Sequence, residues 1–171
     1  ADHQTLHYYV YFAHFSLTVS RGRPNVCILH ILSKGESMKA AIVTAAGERP
    51  VYGDFPEPQA EGDQVIVAVK AAAISQLAKA RAAGKHYSSG SHYPFITGID
   101  GTGTLENGSP VYFLAFNAPW GSMAERTLVP SGAIVPLPAS LDPVLAAAIA
   151  NPGMSSWAAL TRRAQLQQGE T

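Results

Sequence analysis

Proline and glycine punctuate this sequence so densely that long regular elements have little room. Twelve prolines and fifteen glycines are spread over 171 residues. Proline removes a backbone donor and fixes φ, and glycine permits the positive φ of tight turns. Such density is high for a helical bundle and suits short strands joined by turns. The punctuation predicts a mainly β chain with short helices.

Composition narrows the class. Hydrophobic residues make up 47%, charged residues 14%, and the formal net charge is zero. Abundant apolar content with little charge argues against disorder. Neutrality argues against a nucleic-acid partner, which calls for a basic face to neutralise phosphates. No apolar run reaches the roughly 18 residues a spanning helix requires, so no membrane helix is expected. A single cysteine, Cys27, excludes a disulfide framework and a multi-cysteine zinc cluster.

The text changes character at Met38. Residues 1–37 hold Cys27, four of the six histidines and the aromatic run Tyr8-Tyr9-Val10-Tyr11-Phe12. From Met38 the chain is rich in Ala, Gly and Pro, and Met38-Lys39-Ala40-Ala41-Ile42-Val43 reads like a protein's start. Residues 1–7 lack the basic n-region of a signal peptide, and His14 interrupts the apolar stretch. The run Tyr8–Phe12 has the β-propensity of an extra strand or docking arm. The favoured reading is translated upstream sequence, since Lys34-Gly35-Glu36 can be encoded by purine-rich triplets resembling a ribosome-binding site. Residues 1–37 are therefore read as a leader and set apart from the fold.

Strands are expected at Met38–Thr44, Val51–Phe55 and Gln64–Ala73. Pro56 and Pro58 keep the second from a central position, because proline cannot donate to a ladder. Ser75 is a natural N-cap for a helix over 76–83, with Gly84 at C′. Lys85–Tyr93 reads as a mobile loop. Gly98, Gly101 and Gly103 allow close backbone approach or positive φ, and Asn107-Gly108 signals a hairpin. Further strands are expected at Val111–Phe116, Met123–Val129 and Ile134–Pro138. Asp142-Pro143 opens a helix as N-cap and first-turn proline. Asn151-Pro152 repeats the device and predicts a second helix to about Arg163. Gln167–Thr171 reads as a turn.

In this order the segments resemble the N-terminal part of the medium-chain dehydrogenase/reductase superfamily, in its zinc-independent quinone oxidoreductase branch. The matching text is Val69-Lys70-Ala71-Ala72-Ala73-Ile74-Ser75, Pro94-Phe95-Ile96-Thr97-Gly98-Ile99-Asp100-Gly101-Thr102-Gly103, Gly121-Ser122-Met123-Ala124-Glu125 and Gly153-Met154-Ser155-Ser156-Trp157-Ala158-Ala159-Leu160. The resemblance implies a GroES-like, partly open β-barrel over 38–141. It implies connecting helices over 142–171 that lead toward a Rossmann domain, so the sequence reads as a substrate-side fragment. Gly101-Thr102-Gly103 does not replace that domain's G-x-G-x-x-G turn, because Glu106 stands at the third glycine's place.

The resemblance places the catalytic-zinc ligands of the metal-using branch at Ser75, Ile99 and Asn151. Ile99 has no donor atom, and Ser and Asn are poor ligands beside thiolate and imidazole. No metal site is expected. His86 and His92 lack a third partner and read as surface or gate histidines. Hydride chemistry would then belong to a nicotinamide, NADPH by family expectation, with the protein orienting it. Ser75 is implied as a catalytic and cofactor-binding residue facing the cleft, with helix capping as its alternative role. Ser155 is implied beside the nicotinamide, with an ordinary first-turn serine as alternative. Tyr87, and with it Tyr93 and His86, would border the substrate cleft and offer a hydrogen bond or proton to a carbonyl. Asp100 is expected in a salt bridge or turn. The implied parent reduces quinones or activated alkenes in the cytoplasm, with homodimer formation as a family expectation. A non-catalytic GroES-like binding module and an inactive gene fragment remain open; the sequence following Thr171 discriminates them.

Overall fold

The computed structural model describes the chain over residues 36–87, 89 and 92–170, and the backbone of 16–18 and 28–30. Contacts divide it into two units, 1–36 and 37–171. In the first, β1 (Ser16–Thr18) and β2 (Ile28–His30) pair antiparallel with Leu17 opposite Leu29. The aromatic run Tyr8–Phe12 lies outside the described residues.

The second unit begins with β3 (Ser37–Val43), one residue before Met38. Its alternation buries Met38, Ala40 and Ile42 on one face, as a half-buried strand requires. It sits between β4 (Val51–Pro56) and β6 (Phe95–Ile96) in a three-stranded antiparallel sheet. The proline-terminated β4 is an edge strand, as expected. Phe55 and Ile96 complete the small core on β3, with Trp120 and Ala124 packed against it.

The larger sheet has the order β10-β8-β7-β5-β9, all antiparallel. Its strands are β5 (Gln64–Ala72), β7 (Asp100–Thr104), β8 (Pro110–Leu114), β9 (Arg126–Pro130) and β10 (Ile134–Pro136). Val67, Val111, Phe113, Ala115 and Val129 form its core. The Asn107-Gly108 turn joins β7 to β8, with Gly108 at φ +81°. The strand expected from Met123 starts only at Arg126, because 123–125 has another task. Ala41 N–H donates to Met123 O at 2.8 Å, and Val69 N–H donates to Glu125 O at 2.9 Å. That segment stitches the two sheets into a partly open barrel.

Two helices complete the unit. α1 (Gln76–Ala82) follows β5, and α2 (Pro143–Trp157) packs on β5 and β7 through buried Ala146 and Ala147. Asp142 caps α2 by accepting from Leu145 N–H at 2.7 Å. The second expected cap does not form: α2 runs through Asn151 and contains Pro152. An interior proline costs about 3 kcal/mol. The alanine-rich stretch before it is a strong helix former and is anchored by burial, which carries the helix onward. Ser155 and Ser156 donate their hydroxyls to the carbonyls of Asn151 and Pro152 at 3.1 and 3.0 Å. Beyond α2 the turns widen into a π-helix, Ala158–Arg163.

Candidate active-site groove

A groove of about 650 Å³ opens between the end of β5, the start of α1 and one face of α2. Its volume lies in the range of small-molecule sites. A bulge in β5 between Val69 and Ala71 shifts the register. Bulges re-aim the residues that follow, and Ala71, Ala72 and Ala73 form one wall. Val144, Ala147, Ala148 and Asn151 form the opposite wall. Their spacing i, i+3, i+4, i+7 is one face of a helix, so a polar carboxamide closes an otherwise apolar stripe.

Ser75 lines the groove as well. Its Oγ accepts from Ala78 N–H at 3.1 Å and caps α1. One lone pair is thereby held and the hydroxyl proton stays available to donate. Gln76 is a further lining residue that carries a carboxamide. Pro152 has no N–H, so the carbonyl of Ala148 lacks its regular helical partner.

Among the residues expected at the site, the structure brings Ser75 and Asn151 to the same groove. Ser155 lies one turn beyond Asn151 and is exposed, with its hydroxyl on Asn151 O. Tyr87 is 95% exposed, stacks on His86 with centroids 4.2 Å apart, and is not among the groove's walls. Tyr93 packs on Phe95. The segment between Tyr87 and His92 lies largely outside the described residues. Ile99 is 1% exposed and brings only hydrocarbon. Among the described residues no three His, Cys, Asp or Glu side chains gather as a metal site, and no helix is long and apolar enough to cross a membrane.

In the sequence Asn151 stands only at a zinc-ligand position unsuited to metal, with no role of its own. The helical spacing 144, 147, 148, 151 is the signal that marks it, once α2 is known to continue through it. Asp100 makes no salt bridge among the described residues and lies in a strand, not a turn. It is fully buried in β7, where Tyr112 donates its hydroxyl to Oδ2 at 3.0 Å and Oδ1 has no partner among the described residues. Burial pushes its carboxyl above the usual range, only partly offset by the Tyr112 bond. Burial, with the Asp100 charge and hydrogen bond, pushes the Tyr112 hydroxyl up as well.

The groove fits one end of a dinucleotide. A flat ring bearing a carboxamide needs apolar walls, donors and an acceptor. Alanine walls, the Ser75 hydroxyl, the carboxamides and the Ala148 carbonyl supply them. The pyrophosphate end finds no matching cradle in Gly101 and Gly103. Those glycines lie inside β7, where a Cβ on Gly101 would come 2.5 Å from Ala71 O and one on Gly103 would strike Ala68 O. They serve close strand packing.

No protein-family model matches the chain, and no curated protein sequence matches it. Solved structures do. A probable oxidoreductase from Mycobacterium abscessus is 31% identical, with a TM-score of 0.71 over 79% of this chain and 46% of that one. A quinone oxidoreductase from Thermus thermophilus, solved also with NADPH, is 34% identical, with a TM-score of 0.68 over 78% of this chain and 43% of that one. An alcohol dehydrogenase superfamily protein from Novosphingobium aromaticivorans shares the fold at 24% identity, with a TM-score of 0.60 over 78% and 44%. The chain thus spans under half the length of these structures.

Proposed function

Because this chain belongs to the medium-chain dehydrogenase/reductase superfamily, among its quinone oxidoreductase-like members, we propose that it forms the substrate-side half of a nicotinamide-dependent reductase of quinones or activated alkenes. The observation that carries this reading is the match, at 34% identity, to a quinone oxidoreductase solved with NADPH. When bound, the nicotinamide supplies the hydride. The chain's own residues orient the reactants. The alanine walls exclude water from the ring, which strengthens polar contacts inside the groove. The Ser75 hydroxyl donates toward the reacting end, and Ser155, whose hydroxyl rests on Asn151 O away from the groove's lining, would have to turn from it to reach the carboxamide side.

Zinc-independent chemistry follows from the donor set, since Ser75, Ile99 and Asn151 replace thiolate and imidazole. Tyr87 remains a proposed proton donor, one that would have to approach from its exposed loop. NADPH over NADH, a cytoplasmic setting and pairing of the parent as a homodimer are proposals of the same family reading.

A chimera provides the test. Residues 37–171 are exchanged for the corresponding half of the Thermus thermophilus enzyme, and NADPH consumption is followed with a quinone. Turnover that falls at least tenfold on Ser75→Ala supports the reading. A folded, NADPH-binding chimera without turnover on quinones or enones favours a non-catalytic binding module.

A further inference from the structure

We propose that the outer face of α2 pairs with α2 of a second copy of this chain, the two helices running antiparallel about a two-fold axis between Pro152 and Gly153. The face is a seam of Asp142, Leu145, Ile149, Pro152 and Ser156, at the alternating three- and four-residue spacing by which helices pack lengthwise. Leu145 and Ile149 on it are half-exposed, and Ser156 is exposed. Beyond α2 each turn of the π-helix takes about one residue more than an α turn. That brings Leu160, also half-exposed, into line four residues after Ser156. A different side of the helix, with buried Ala146 and Ala147, packs on the sheet, and Val144, Ala147, Ala148 and Asn151 line the groove. The seam is separate from both, so the inference stands apart from the reductase reading.

Charge selects the occupant and its direction. Between Pro143 and Ala164 the only charged residues are Arg162 and Arg163, and Asp142 stands at the opposite end. Arg162 lies over the Trp157 ring, 5.6 Å from its centroid. Asp142 spends Oδ1 on the Leu145 N–H, and neither Asp142 nor Arg163 joins an ion pair among the described residues. A second copy laid parallel sets like charges together at both ends. Laid antiparallel, it sets Arg163 of each copy beside Asp142 of the other, Leu160 beside Leu145 and Ser156 beside Ile149, and it opposes the two helix dipoles. Such self-complementarity is what a two-fold interface requires. The crossing point also accounts for Gly153. Glycine weakens a helix interior, and a Cβ at Gly153 would meet nothing of its own chain within 4 Å; at the axis its bareness admits a second backbone. The paired face is about 30 Å long and smaller than a standard interface, so a dissociation constant of about 10–100 μM is expected.

Sedimentation equilibrium of the full 171-residue chain, from about 2 to 500 μM, tests the pairing and should show monomer and dimer in exchange. Leu145→Glu and Leu160→Glu, both at half-exposed positions, should each keep the circular dichroism spectrum and abolish the dimer throughout that range. Arg163→Glu should weaken pairing about three- to tenfold, because the symmetric dimer loses two exposed ion pairs. Disulfide trapping reads the direction, in a Cys27→Ser background that removes the single native cysteine. Leu145→Cys chains mixed with Leu160→Cys chains should cross-link 145 to 160, and neither variant alone should cross-link to itself. A chain that is monomeric at every concentration overturns the proposal. So does a dimer that both Leu→Glu variants retain, which places the interface elsewhere. A link from 145 to 145 overturns it as well, since it makes the helices parallel.

Discussion

Thr102, buried in β7, donates its hydroxyl to the carbonyl of Pro143 at 2.8 Å and so ties the first turn of α2 to the sheet. The groove's two walls are β5, which pairs with β7, and α2, so this bond helps fix their spacing. Thr102→Val keeps the shape and deletes the donor. A stability loss of about 1 kcal/mol is expected, read as a lower urea midpoint at unchanged slope. Thr102→Ser should recover most of it.

Gly121 lies where a Cβ would run into the carbonyl oxygens of Ile96 and Thr97. Both are backbone atoms committed to the network that joins the sheets, since Met123 N–H donates to Thr97 O at 3.0 Å. Gly121→Ala should cost about 3 kcal/mol or more through overpacking. Thermal unfolding monitored by circular dichroism checks this; a melting temperature within a degree of wild type would refute the close approach.

Pro152 breaks a hydrogen bond inside α2. Pro152→Ala should raise helical content and stabilise the chain by about 1–2 kcal/mol, the helix gain less the entropy returned to the unfolded chain. The added N–H would engage the Ala148 carbonyl and remove an acceptor from the groove. Far-ultraviolet circular dichroism and melting measure the first effect.

The raised carboxyl of Asp100 makes stability fall with rising pH. Its folded-state pKa lies above the unfolded value, so the folded state holds the proton longer. The neutral group's stabilisation is fully present below the unfolded pKa of about 4 and is lost as pH rises through the folded value. Asp100→Asn should therefore gain on wild type between about pH 4 and neutrality. Paired melting curves across that range test the sign; a constant difference would show that the pKa is not raised.

The isolated chain should bind NADPH no better than millimolar. Neutral hydrogen bonds from Ser75, Asn151 and Ser155 are worth about 0.5–1.5 kcal/mol each. Association costs about 4 kcal/mol or more, and Gly101 and Gly103 build sheet, leaving the pyrophosphate uncradled. Fluorescence titration should show no saturation in the micromolar range. A micromolar dissociation constant would reveal a phosphate site elsewhere on this chain.

Much of the architecture was legible as local chemistry. Alternating Met38, Ala40 and Ile42 have one way to bury their side chains, so β3 follows from its own residues. Pro56 confines β4 to an edge because it cannot donate. Ser75 and Asp142 cap because their oxygens reach an amide three residues on, and Asn107-Gly108 turns because glycine takes positive φ at little cost. The segment order also carried the family resemblance, which the solved oxidoreductases now support.

Other features depend on partners far along the chain. Phe95–Ile96 is too short to announce a strand and becomes one only by pairing with Ile42 and Val43. Met123–Glu125 has strand-like residues but is spent on joining two sheets. Asn151-Pro152 carries every local mark of a helix start. Burial of Ala146 and Ala147 against β5 and β7 instead holds α2 through it, because packing outweighs what one proline costs. That continuity sets Asn151 on the helix face opposite Ser75. The sequence alone determined which residues cap, turn and alternate, since those depend on neighbours within a few positions. Only the tertiary structure decided that a cap on α1 and a carboxamide on α2 share one groove, because their proximity is fixed by the sheet between them.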